Sequence, residues 1–111
     1  MLVVVFRKKD KDLHEIETKG HAGFGFKGRD IVCAAVSALL ETVIFSLEKE
    51  LPREAYSYSL RNGYANLRFF YGRVGEKDRE KLRLLQRVIG YGIEGIAQRY
   101  PNFLRVVEEV E

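Results

Sequence analysis

The rhythm of apolar and polar positions changes repeatedly along the chain. Leu2 to Arg7 is a run of branched and aromatic residues, the pattern of a buried strand. Asp10 to Asp12 is a polar turn. Leu13 to Lys19 alternates, with His14, Ile16 and Thr18 on one side and Leu13, Glu15 and Glu17 on the other. This predicts a second strand, paired with the first as a hairpin. From Ile31 the period becomes helical: Ile31, Ala34, Ala35, Ala38, Leu39, Thr42 and Val43 recur on one face, and Pro52 stops the pattern. Tyr56 to Leu60 and Tyr64 to Tyr71 read as aromatic-rich strands. Asn62-Gly63 between them signals a tight hairpin, because both residues tolerate positive φ. Glu76 to Tyr100 is a long helix with Leu82, Leu85, Ile89, Ile93, Ile96 and Tyr100 as its apolar stripe. Gly92 on that stripe predicts close packing against a neighbour. Phe103 to Val107 is a last strand.

The order is ββαββαβ. It predicts an α/β (α+β) two-layer sandwich, with two helices packed on one face of a mixed or antiparallel five-stranded sheet. The other face is expected to carry aromatics among Tyr56, Tyr58, Phe69, Phe70 and Tyr71. A homodimer is one way to cover it, and scattered exposed aromatics are the other.

Composition narrows the class. The 111 residues suit a single domain over 1–111 and, at 46% hydrophobic, a core of modest size. Lys plus Arg exceed Asp plus Glu by only 19 to 16, and the basic residues are scattered. Arg7-Lys8-Lys9 is followed by Asp10 and Asp12, and the end from Glu108 to Glu111 is acidic, so direct nucleic-acid binding is not expected. One cysteine excludes an internal disulfide and a cysteine-rich zinc site. No signal peptide is evident and Leu2 to Phe6 is too short to span a bilayer. A reducing cytoplasm is the expected compartment, with no membrane partner.

Chemistry concentrates between Gly20 and Ser37, GHAGFGFKGRDIVCAAVS. Asp30 directly precedes the apolar helical run and suits an N-cap. Cys33 then falls at the third helical position, near free amides and the positive end of the helix dipole. Both favour the thiolate, which is the nucleophile. A buried structural cysteine is the competing reading. His21 stands where the second strand ends and could fold back towards Cys33 as the base of a Cys-His pair. It also fits a polar residue that simply ends a strand, and His14, in mid-strand, reads as a strand-surface residue.

Gly20, Gly23, Gly25 and Gly28 permit positive φ and close backbone approach. Phe24 and Phe26 among them fit either the core or an apolar lid that orders over a substrate. No phosphate-loop ending and no dinucleotide fingerprint is present, so no cofactor or metal is expected. Ser37, one turn beyond Cys33, either bonds near the site or back-bonds to the Cys33 carbonyl. Asp30 either caps alone or also orients His21.

Taken together, Gly20-His21-Ala22-Gly23-Phe24 and Gly28-Arg29-Asp30-Ile31-Val32-Cys33-Ala34-Ala35-Val36-Ser37 resemble the signature of the bacterial ribosomal-processing cysteine protease family. The likeness extends over essentially the whole chain. It implies a peptidase that removes a short N-terminal extension from a large-subunit ribosomal protein, with His21 as general base and Cys33 as nucleophile. Asp30 and Ser37 would support them. It also implies a homodimer and a substrate with an aromatic pair before the cut, hence an apolar pocket drawing on Phe24 or Phe26. Helix-start amides, that of Cys33 among them, are the expected oxyanion donors. A non-catalytic module that docks a ribosomal protein segment at a sheet edge is the alternative; it predicts an unreactive Cys33.

Overall fold

Two strands open the chain in the computed structural model, which describes residues 1–21 and 30–111. β1 (Leu2–Lys9) and β2 (Asp12–Lys19) pair as the expected antiparallel hairpin. Asp10 takes the left-handed conformation, φ 57°, in its turn, which a short polar side chain tolerates. The strict alternation expected of β2 does not hold. Arg7 faces Glu15 but Lys8 faces Leu13, so His14 is an extra residue in the pairing. A bulge of this kind resets the side-chain alternation. Leu13, Ile16 and Thr18 are therefore all buried, and the half-buried His14 ring lies 5.3 Å from that of Tyr71.

The sheet order is β3-β4-β2-β1-β5, with β3 at Tyr56–Arg61, β4 at Tyr64–Phe69 and β5 at Leu104–Val110. Neighbours are antiparallel except β1 and β5, which are parallel, so the sheet is mixed. Short 3₁₀ turns at Arg53–Ala55 and Tyr71–Arg73 flank the β3–β4 hairpin. The second ends β4 earlier than its aromatic run suggested. Gly63 supplies the predicted positive φ, 74°, at the hairpin turn.

Helices α1 (Ile31–Glu50) and α2 (Glu76–Arg99) cover one face. Leu82, Ile89 and Ile93 bury the expected stripe of α2. On α1 the buried face is Val32, Val36, Leu40, Val43, Ile44 and Leu47, not the alanine-rich stripe; Ile31, Ala34, Ala38 and Thr42 are exposed. The larger side chains decide, because each removes more apolar area from water than an alanine does. By length and composition α1 could cross a membrane. Its buried face is that of a core helix.

The aromatic expectation for the open sheet face is also overturned. Tyr56, Phe69 and Tyr71 are buried in the core, and Tyr71 donates a 3.0 Å hydrogen bond to the Leu13 carbonyl. Residues opposite each other in a ladder share a face, and the register puts Arg7, Glu15, Glu17, Asn66, Arg68 and Glu109 on the open side. The Arg7 guanidinium lies within 3.4 Å of Glu15, 3.0 Å of Glu17 and 3.2 Å of Glu109. This face is dressed with paired charge, which removes the apolar reason for covering it with a second copy.

Candidate active site

Strand register builds the site. β4 begins at Tyr64, which stands opposite Lys19 near the end of β2. The Asn62-Gly63 turn therefore lies beside Gly20 and His21. A backbone bond fixes the junction: the Gly20 amide donates to the Gly63 carbonyl at 2.9 Å. Gly20 takes φ 88°, and a Cβ there would lie 2.9 Å from the Met1 carbonyl oxygen, so only glycine fits this bend without rearrangement.

The start of α1 supplies the second wall. Asp30 is the predicted N-cap, buried, with Oδ1 accepting from the amides of Val32 at 3.0 Å and Cys33 at 3.1 Å. The Ala34 amide donates to the Asp30 carbonyl at 3.0 Å. Cys33 is half-buried at the third helical position, as expected. The expectation that its amide receives an oxyanion is not met: that N–H is already given to the cap carboxylate.

His21 and Cys33 line one cleft of about 840 Å³, together with Asp30 and Ser37. Leu2, Val36, Leu40 and Ala65 give it an apolar floor, and Leu60, Arg61 and Tyr64 wall it on the hairpin side. A peptide side chain could be accommodated there with charged groups, Glu41 and Arg61, at the margin. Tyr64 is pinned from outside: its hydroxyl donates to Glu17 Oε2 at 2.7 Å and its ring lies under the Arg61 guanidinium at 4.8 Å. The bond to Glu17 holds the Tyr64 hydroxyl above its ordinary range and Glu17 below the ordinary carboxylate range. Gly23, Phe24, Gly25, Phe26 and Gly28 lie outside the described residues. Among the described residues no group of His, Cys, Asp and Glu could hold a metal ion.

The hairpin wall was missed in the sequence. Asn62-Gly63 announced a turn, but its place beside His21 follows from the β2–β4 pairing, which no local pattern encodes.

Comparison with known proteins follows the same lines. Residues 1–105 match the family model of the cysteine protease Prp. The chain is similar to the essential ribosomal processing protease Prp of S. aureus, solved with a covalently linked product peptide. The TM-score is 0.84 at 20% identity, over 98% of this chain and 100% of that one. A second structure of that protease, with a substrate peptide, gives 0.80 at 19% identity over 98% and 100%. SMU.848 of Streptococcus mutans is 30% identical over 100% of this chain and 96% of its own, with a TM-score of 0.77. No curated protein matches.

Proposed function

The chain belongs to the cysteine protease Prp family, and from that membership we propose that it removes a short N-terminal extension from a large-subunit ribosomal protein, cutting after an aromatic residue. The observation that carries this reading is the single cleft that His21 and Cys33 line from two different elements. Its apolar floor suits an aromatic side chain.

In this reading His21 takes the Cys33 thiol proton, and the sulfur attacks the scissile carbonyl carbon. As the C–S bond forms, the carbonyl electron pair moves to oxygen. The oxyanion collapses, the C–N bond breaks, and His21 delivers its proton to the departing amine. Water then adds to the thioester with His21 as base. The C–S bond breaks, and the acid product leaves. Asp30 supports the step by holding the helix start that carries Cys33, and Ser37 by its place one turn further along the cleft. While the Asp30 cap is in place, oxyanion donors other than the Val32, Cys33 and Ala34 amides are required.

The cytoplasm, where ribosomal precursors are made and thiols stay reduced, is the proposed compartment. A homodimer belongs to the same proposal. Among the described residues, large apolar side chains stand exposed on the helical layer, Phe45 on α1 and Leu84, Val88 and Tyr91 on α2. A second copy would meet that layer rather than the charged sheet face.

The test incubates the ribosomal precursor with the parent protein and with Cys33→Ala, and weighs the products. Loss of one N-terminal fragment with the parent alone is the expected result. An intact precursor in both samples would favour the non-catalytic docking module.

A further inference from the structure

The His21 imidazole rests against the hairpin turn at a position that has no side chain. A Cβ built on Gly63 would lie 3.2 Å from His21 Nε2, 3.7 Å from Cε1 and 3.9 Å from Cδ2. The three atoms form the Nε2 edge of the ring, so this edge faces the bare Cα of Gly63. The ring has little freedom to retreat along its own backbone. Gly20 is bent at positive φ under the Met1 carbonyl and tied by its amide to the Gly63 carbonyl at 2.9 Å. One hairpin residue thus contacts the histidine twice, through the preceding amide and through the imidazole itself.

We propose that Gly63 is a positioning residue for His21: its missing side chain sets where the imidazole rests in the cleft. The inference rests on His21 and Cys33 acting as a pair. Glycine at this position meets two separate requirements. Its φ of 74° needs a residue that enters the left-handed region, and the ring contact needs the absence of a Cβ. Asparagine satisfies the first requirement and fails the second. Alanine fails both. The two substitutions therefore separate turn strain from displacement of the ring.

The experiment measures iodoacetamide alkylation of Cys33 against pH in the parent, Gly63→Asn, Gly63→Ala and His21→Ala, with thermal melts to confirm folding. The other titratable or charged groups around the cleft are Asp30 and Glu41 from the α1 side and Arg61 and Tyr64 from the hairpin. None is altered, so a moved profile reads the imidazole. Gly63→Asn is expected to melt close to the parent, yet to move half-maximal alkylation upward in the same direction as His21→Ala. It should also slow precursor cleavage roughly tenfold or more with KM little changed. A folded Gly63→Asn with the parent profile and rate, beside a shifted His21→Ala, overturns the positioning role and leaves the pair intact. If His21→Ala itself keeps the parent profile and cleaves the precursor, the pair falls, and this inference with it.

Discussion

Gly92 of α2 lies directly against Leu39 of α1: a Cβ on Gly92 would come within 2.5 Å of Leu39 Cδ2 and 3.2 Å of Cδ1. The two helices approach here because one of them has no side chain to offer. Alanine at 92 is better than glycine for an isolated helix by about 1 kcal/mol. Here it drives a methyl into a leucine that sits between the helices. Gly92→Ala is expected to destabilise the protein by about 1 kcal/mol in a denaturant titration. In a Leu39→Ala background the same change should instead stabilise by about 0.5–1 kcal/mol. A Gly92→Ala effect of the same sign and size in both backgrounds would show that Leu39 is not the obstacle.

The Asp30 cap separates hydrogen bonding from charge. Asp30→Ala should cost about 1 kcal/mol of stability, since the Val32 and Cys33 amides lose their acceptor. Asp30→Asn keeps an acceptor oxygen and should retain most of that stability. Equal losses in both variants, measured by urea unfolding, would assign the effect to the carboxylate charge instead.

His21 and Cys33 are expected to fail together. His21→Ala and Cys33→Ala should each remove most precursor turnover, roughly a hundredfold or more. The double variant should be little worse than either alone, because partners in one proton-transfer unit do not lose activity additively. Binding of the uncleaved precursor should survive in Cys33→Ala, which a pull-down reads. Parent-like turnover by His21→Ala would dismiss the pair.

Tyr64 and Glu17 give a pH signature on the open sheet face. Glu17 is held below the ordinary carboxylate range, mainly by the Tyr64 hydroxyl. A lowered folded value means a contribution present above the unfolded value, near pH 4, and lost as pH falls through the folded one. The Tyr64 hydroxyl is raised by the same bond. Its contribution is present below the ordinary tyrosine range, near pH 10, and is lost as pH rises through the folded value. The Tm difference between the parent and Tyr64→Phe should therefore be widest between those limits and close at both ends. A difference independent of pH would mean that the hydroxyl is not bonded to an ionised Glu17.

The helical layer offers a solution test. If copies pair through it, the parent sediments as a dimer and Val88→Glu with Tyr91→Glu as a monomer, since charge on both contacts opposes burial. A parent that sediments as a monomer at tens of micromolar would set aside the dimer, on the helical layer or elsewhere.

The architecture was legible in the sequence where one period governed a whole element. α2 kept its stripe, Asn62-Gly63 formed its turn, Asp30 capped α1, and Cys33 fell third in that helix. What escaped was decided between elements. The bulge at His14 exists because β2 must bury Leu13, Ile16 and Thr18 together against the helices. Helix α1 is apolar almost all round, so its own sequence could not say which side meets the sheet. Tyr56, Phe69 and Tyr71 fit either face until the helices are placed. At the site, the glycine signal was readable at Gly20, whereas the role of Gly63 depends on a strand pairing more than forty residues away in sequence.

The parallel pairing of β1 with β5 joins Leu2 to Leu104 and Lys8 to Val110. The first strand is thus completed only by the last. Contacts so distant along the chain are slow to form, because the intervening segment must be ordered first. Until β5 docks, one side of the Leu2-Val3-Val4-Val5-Phe6 run is an open hydrogen-bonding edge of high β-propensity, a template for another chain. The N-terminal hairpin can form early from local contacts, so it passes through the rest of folding with that edge bare. Shortening the chain by residues 104–110 would make this exposed state permanent, and aggregation, more than simple loss of stability, is the outcome such a truncation invites.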